Sequence, residues 1–132
     1  LRIARQEFVL DAACVRGLLP QHDLAVLEVP HAWLLGFTAL RGRDLPVVDL
    51  RAKLGLAPGS RGKRPCIVIV EAEEGRLLGF LADRVSEIMV LREHDFNGDS
   101  ARVNGRLRRV LHAGEILSEE EFSQIRNAAL QS

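Results

Sequence analysis

Gly36-Phe-Thr-Ala-Leu-Arg41-Gly42-Arg-Asp-Leu-Pro46-Val-Val-Asp49-Leu-Arg51 is the stretch whose chemistry sets the fold. Two apolar arms, Leu34–Leu40 and Leu45–Leu50, flank the polar link Arg41-Gly42-Arg43-Asp44. Arms rich in Leu, Val and Phe, joined by a short link containing glycine, predict a β-hairpin in which Gly42 takes the positive φ. Pro46 has no N–H to give to a ladder, so it predicts an edge position or a bulge in the second arm. Asp49 is a good N-cap and Gly55 a good terminator, which predicts a short helix over Leu50–Leu54.

The same reading extends outward in both directions. Phe8–Leu10 and Leu24–Val29 predict strands, the latter stopped by Pro30, with Asp11–Val15 and Leu18-Leu19-Pro20 between them. Cys66–Val70 is apolar at every position, as a strand covered on both faces would be. Glu73-Glu74-Gly75-Arg76 predicts a turn, and Leu77–Leu91 is too long for one strand, so it divides at Asp83-Arg84. Arg92–Arg102 reads as polar connection and Arg106–Leu111 as a further strand. Ser118 and Glu121 fit a capping box, Leu117 and Phe122 the matching staple, and Phe122, Ile125 and Ala129 the docking stripe of a C-terminal helix. The basic, Gly- and Pro-rich segment Ala57–Pro65 predicts a loop at a subdomain border. The expectation is one mostly-β domain over 1–132, with strand-rich halves of approximately 1–62 and 63–132.

Composition narrows the function. The 132 residues carry 18 Lys+Arg against 18 Asp+Glu and are 47% hydrophobic, which excludes a disordered chain and argues against a phosphate-neutralising surface. No apolar run approaches a membrane span, so direct membrane insertion is not expected. The first residue is Leu1 rather than Met, which keeps a larger parent protein open.

Candidate chemistry is sparse. Cys14 and Cys66 lie in apolar surroundings without CxxC spacing and read as packed thiols, so neither a disulfide nor a nucleophile is expected. His112 and Glu115 have a metal-like gap, but two ligands make no site, and Gly114 argues against the helix that would align them. Gly59-Ser-Arg-Gly-Lys63 has two residues between its glycines instead of the four of a phosphate loop. Two basic clusters, Arg102/Arg106/Arg108/Arg109 and Arg61/Lys63/Arg64, are the only support for a nucleic-acid-binding barrel. They lack the aromatic platforms that single strands need, Phe96 excepted. Arg41 differs in kind, because a guanidinium held at a constrained turn is suited to bidentate recognition, although solvating the turn explains it equally well.

Two ordered blocks resemble the CheW-like domain of bacterial chemotaxis coupling proteins. The first is Gly36 to Leu56, through Leu40-Arg41-Gly42, Leu45-Pro46-Val-Val-Asp49-Leu-Arg51 and Lys53-Leu54-Gly55-Leu56. The second is Ile67–Glu71 followed by Leu78-Gly79-Phe80-Leu81-Ala82-Asp83 and Val85-Ser86-Glu87-Ile88. The resemblance implies two small five-stranded SH3-like barrels sharing a core, with a short mid-chain helix and a closing C-terminal helix. It implies a non-enzymatic cytoplasmic adaptor without cofactor or metal. Its partners would be the cytoplasmic tip of a methyl-accepting chemoreceptor and the regulatory domain of a histidine kinase. Partner-binding positions carried over are Gly36, Leu40, Arg41 and Gly42 in the central motif. The receptor tip would occupy a groove between the barrels: Val15 and Leu18 match the element lining it, as do Gly79, Val85 and Ile88 on the second barrel. Ala39 stands where the family has Asn, and Gly17 where it has an acid. The short stretch Asn97–Asn104 predicts a second barrel lacking about one strand. A CheW-like regulatory domain within a larger kinase or receiver fusion is the alternative.

Overall fold

The computed structural model describes residues 1–3, 6–20, 26–56, 65–72, 75–83, 85 and 91–131. Its strands are β1 (Arg2–Ile3), β2 (Gln6–Leu10), β3 (Val15–Pro20), β4 (Leu27–Glu28), β5 (Leu34–Leu40), β6 (Arg43–Asp49), β7 (Cys66–Glu71), β8 (Leu77–Ala82), β9 (Phe96–Asn97), β10 (Ser100–Val103) and β11 (Arg106–Leu111). The helices are α1 (Leu50–Lys53), α2 (Ala113–Ile116) and α3 (Glu119–Gln131). The fold is mostly β, as the hairpin grammar of the sequence requires.

The central hairpin forms where expected, with a tighter turn. β5 and β6 pair down to Leu40 opposite Arg43, leaving only Arg41 and Gly42 in the loop. Both have positive φ, 51° and 78°. Two consecutive left-handed residues make the mirror-image turn whose twist matches that of the strands. Asp49 caps α1 through the Arg51 N–H, 3.1 Å from its Oδ1, and Gly55 ends the segment with φ 68°.

Two sheets result, with strand orders β1-β2-β11-β10-β9 and β3-β7-β8-β6-β5-β4. Among the described residues the sheets have five and six strands. Neither sheet respects a division near residue 62. The six-stranded sheet joins β7 and β8 to strands from the first half, and β2 pairs in parallel with β11. The physical reason is that adjacent hairpins satisfy only one edge of each strand. The edges left over on β6 and β2 are closed by distant segments.

The main core lies between the sheets and under the last helix. Val48, Val68, Val70, Leu78 and Phe80 meet Ile3, Phe8 and Leu111, with Leu117, Phe122 and Ile125 from the C-terminal region. A smaller cluster of Val47, Ile67 and Leu81 uses the opposite face of the six-stranded sheet. β7 and β8 are therefore covered on both faces, which is why Cys66–Val70 and Leu77–Ala82 are apolar at nearly every position.

Several expectations change. Pro46 lies neither at an edge nor at the bulge, since β6 runs between β5 and β8. Counting from the closing pair Leu40–Arg43, Pro46 opposite Phe37 is a non-hydrogen-bonded position, and pairing with β8 starts only at Val47. No ladder bond is lost. Asn97–Asn104 is not a gap in the second sheet: β9, β10 and the turn Asn104-Gly105 (φ 51° and 79°) fill it. Of Leu24–Val29, only Leu27–Glu28 is described as strand. His112 caps a one-turn helix, α2, despite Gly114. The capping box is present, with Ser118 N–H on Glu121 Oε1 at 3.0 Å and Glu121 N–H on Ser118 Oγ at 3.1 Å. The stripe of α3, however, runs through Phe122, Ile125 and Ala128, and Ala129 is exposed. The expected loop over Ala57–Pro65 falls, apart from Pro65, outside the described residues.

Candidate partner-binding surfaces

Arg41 projects from the tip of the β5–β6 hairpin, and residues 41–44 are all exposed. A non-glycine residue at φ 51° carries backbone strain of roughly 1 kcal/mol, which Gly42 at the same tip avoids. The closing pair Leu40–Arg43 holds that conformation on a two-residue loop, so Arg41 is presented to solvent with little backbone freedom.

Gly36 is buried and works through the main chain. A Cβ there would collide with the Leu27 carbonyl and lie 2.8 Å from Glu28 Cα, so its absence lets β4 approach β5. Leu27, on that strand, is 64% exposed. Gly79 is likewise buried: in its place a Cβ would meet Ile67 Cγ2 at 2.7 Å and Leu45 Cδ2 at 3.3 Å. The motif glycine at 79 therefore meets a packing requirement between β8 and the side chains of Ile67 and Leu45.

Val15 and Leu18 lie on β3, the far edge strand of the six-stranded sheet. Val15 packs on the main core, whereas Leu18 is 47% exposed. β7 and β8 stand between this strand and the β5–β6 hairpin that carries Arg41, so the two sets of residues form separate surfaces along the sheet. Val85 is half-buried against the core. Ile88 lies outside the described residues, as do Arg61, Lys63 and Arg64.

The remaining motif residues brace the scaffold. Arg51 Nη2 meets Asp83 Oδ2 at 2.7 Å with the two side chains only 12% and 14% exposed, and Asp83 N–H donates to the Arg2 carbonyl at 2.9 Å. One ion pair thereby ties α1, the end of β8 and β1 together. Arg16, one residue before the substituted Gly17, pairs with Glu71 Oε2 through Nε at 2.8 Å. That cross-strand pair was absent from the sequence reading, because nothing local links positions so far apart.

Burial raises the Cys14 thiol, with the Asp11 charge adding to it, and its Sγ donates to the Asp11 carbonyl at 2.9 Å. Cys66 is raised chiefly by burial as well. Both thiols are free and held in the protonated, poorly nucleophilic form. Glu119 is lowered by its Arg76 hydrogen bond, at the surface. For Glu121, burial acts upward, but the hydrogen bonds from Ser118 and Lys53 outweigh it, and the carboxyl is lowered. Among the described residues, no group of three or more His, Cys, Asp or Glu is placed to hold a metal, and His112 and Glu115 are both exposed. No described helix is long and apolar enough to cross a membrane.

Comparison with known proteins agrees with this architecture. The probable chemotaxis protein CheW of Rhizobium etli is 32% identical over 92 residues, covering 70% of this chain and 59% of that protein. The chemotaxis protein CheW of Rhizobium meliloti is 31% identical over 94 residues, covering 71% and 60%. The chain thus spans about three fifths of the length of these curated relatives. The crystal structure of the scaffolding protein TtCheW from Thermoanaerobacter tengcongensis superposes with a TM-score of 0.78 over 90% of this chain and 91% of that one, at 20% identity, so the fold is shared. With the Leu40-Arg41-Gly42 hairpin, the braced Asp49-Leu50-Arg51 cap and the two sheets in place, a sequence model of the CheW-like domain matches residues 1–128, and the chain belongs to that family.

Proposed function

We propose that this domain is a non-catalytic adaptor that couples chemoreceptors to a sensor histidine kinase in chemotaxis-type signalling. The observation that carries the reading is the family match over residues 1–128, on a fold in which Arg51 with Asp83 and Ser118 with Glu121 serve bracing and capping. In this reading the domain works in the cytoplasm, without a cofactor. The Arg41 hairpin, with Leu40 and Gly42, anchors one protein partner, with Gly36 holding β4 beside it. The β3 edge, with Val15 and Leu18, offers a second, apolar contact to a receptor tip. Val85 and Ile88 extend that receptor contact, and Gly79 supports it from inside.

Separate surfaces on one rigid sheet suit an adaptor, because two partners can be held at once without competing for the same residues. The test is co-sedimentation of the chain with receptor and kinase regulatory fragments. Arg41→Ala keeps the fold, because the residue is an exposed tip, and weakens capture by at least about tenfold, roughly 1.4 kcal/mol. Undiminished capture of both fragments by the Arg41→Ala variant removes Arg41 from the interface.

A further inference from the structure

The whole chain is neutral, yet one hairpin is strongly basic. β10 and β11 carry Arg102, Arg106, Arg108 and Arg109, joined by the tight turn Asn104-Gly105. The register sets Arg102 opposite Leu107 and Ser100 opposite Arg109, so Arg102, Leu107 and Arg109 share one face. Arg102 and Arg109 are exposed, and Leu107 between them is 54% exposed. Elsewhere Arg16, Arg51 and Arg76 each meet a carboxylate. None of the four hairpin arginines forms an ion pair with a described residue, and nearby Asp99 is directed to His112, 3.8 Å away.

Like charges crowded on one hairpin repel, and a ligand bringing carboxylates relieves that repulsion. Two planar guanidinium forks around one aliphatic side chain have the composition of a protein-interface core. A nucleic-acid strand would need stacking platforms on this face. Phe96, the aromatic of this sheet edge, is paired with Ala101 and so belongs to the other face, with Arg106 and Arg108. A lipid surface would need several apolar side chains side by side, where this face presents one leucine.

We propose that the β10–β11 hairpin is a further docking surface, which binds a carboxylate-bearing segment of a protein partner. Acids of that segment pair with Arg102 and Arg109, and an apolar side chain of the segment seats on Leu107. The surface lies on the five-stranded sheet, apart from the Arg41 hairpin, and does not depend on what that hairpin binds.

The test is fluorescence anisotropy of the full chain with a fluorescein-labelled peptide of repeated Asp-Glu-Leu-Glu. A labelled oligo-dT strand and phosphatidylserine vesicles serve as competing probes. Saturable peptide binding is expected, weakened about tenfold by Arg102→Glu/Arg109→Glu and several-fold by Leu107→Ser. It is also expected to weaken steeply with salt, and to be unchanged in Arg126→Glu on α3. Circular dichroism checks each fold, and Arg102→Gln/Arg109→Gln replaces the charge reversal should that variant misfold. Absent peptide binding, equal loss in Arg126→Glu, insensitivity to Leu107→Ser, or tighter binding of oligo-dT or vesicles would each overturn the proposal.

Discussion

Replacing Gly36 and Gly42 separately distinguishes two reasons for keeping a glycine in the same hairpin. At Gly42 nothing lies within 4 Å of an added Cβ, so the cost of Gly42→Ala comes from φ 78° alone. That is about 1 kcal/mol, and Gly42→Asn recovers most of it because Asn tolerates the left-handed region. At Gly36, φ imposes no such limit, but a Cβ would lie 2.8 Å from both Glu28 Cα and Leu27 C, against ordinary contacts of 3.4–4 Å. Backbone cannot rotate away as a side chain can, so β4 must retreat by roughly 1 Å, weakening its ladder to β5. Overpacking together with weakened ladder bonds amounts to about 2–3 kcal/mol. Gly36→Asn should cost at least as much as Gly36→Ala.

Urea unfolding followed by Trp33 fluorescence measures both effects, because Trp33 lies between β4 and β5. Its backbone N–H donates to His31 Nδ1 at 3.3 Å, and its ring meets the His31 ring edge-on at 4.5 Å between centroids. The Gly36 variants should also shift native-state emission, whereas the Gly42 variants should leave it unchanged. Wild-type stability in Gly36→Ala would refute the close-approach argument. Equal losses for Gly42→Ala and Gly42→Asn would refute the dihedral one.

Three further outcomes follow from the bracing contacts. Arg51→Ala should cost about 2 kcal/mol by chemical denaturation, since it strips a partner from the largely buried Asp83 carboxylate. Ser118→Ala should cost about 1 kcal/mol through loss of the α3 cap, seen as reduced helical ellipticity and a lower midpoint. The Glu121 carboxyl is lowered in the folded state, so its contribution is fully present above the unfolded carboxylate value and is lost as pH falls through the lower folded value. The stability gap between the wild type and Glu121→Gln should therefore be constant near neutrality and close in acid below about pH 4. A gap that persists in acid would assign the effect to packing.

Local chemistry made the hairpin, the Asp49 cap and the Ser118–Glu121 box readable, because each depends on neighbours within a few residues. Asn104-Gly105 carried an equally strong turn signal and Arg106–Leu111 read as a strand, but β10 lies largely within the polar stretch Arg92–Arg102 and so looked like connection. The sheet assignment was not readable. Parallel pairing of β6 with β8, and of β2 with β11, joins segments with no local mark of each other. For the same reason Gly79 could not be separated from the surface positions of its motif, since only the tertiary structure shows Ile67 and Leu45 closing over it. Arg41 was legible as an exposed turn residue, but its own positive φ was not, as the glycine beside it seemed sufficient for the turn.

The pairing of β2 with β11 also bears on the order of events during synthesis. Phe8 registers with Arg109, so the five-stranded sheet requires closing a loop of about a hundred residues, an entropic cost with no local contact to offset it in advance. β3 through β8 can assemble from the span Val15–Ala82 beforehand. On the ribosome, β2 must wait with Phe8 uncovered until β11 emerges. Pulse-labelling hydrogen exchange should find amides of β7 and β8 protected before those of β2 and β11, making the last-closed sheet the chaperone-sensitive part of the molecule.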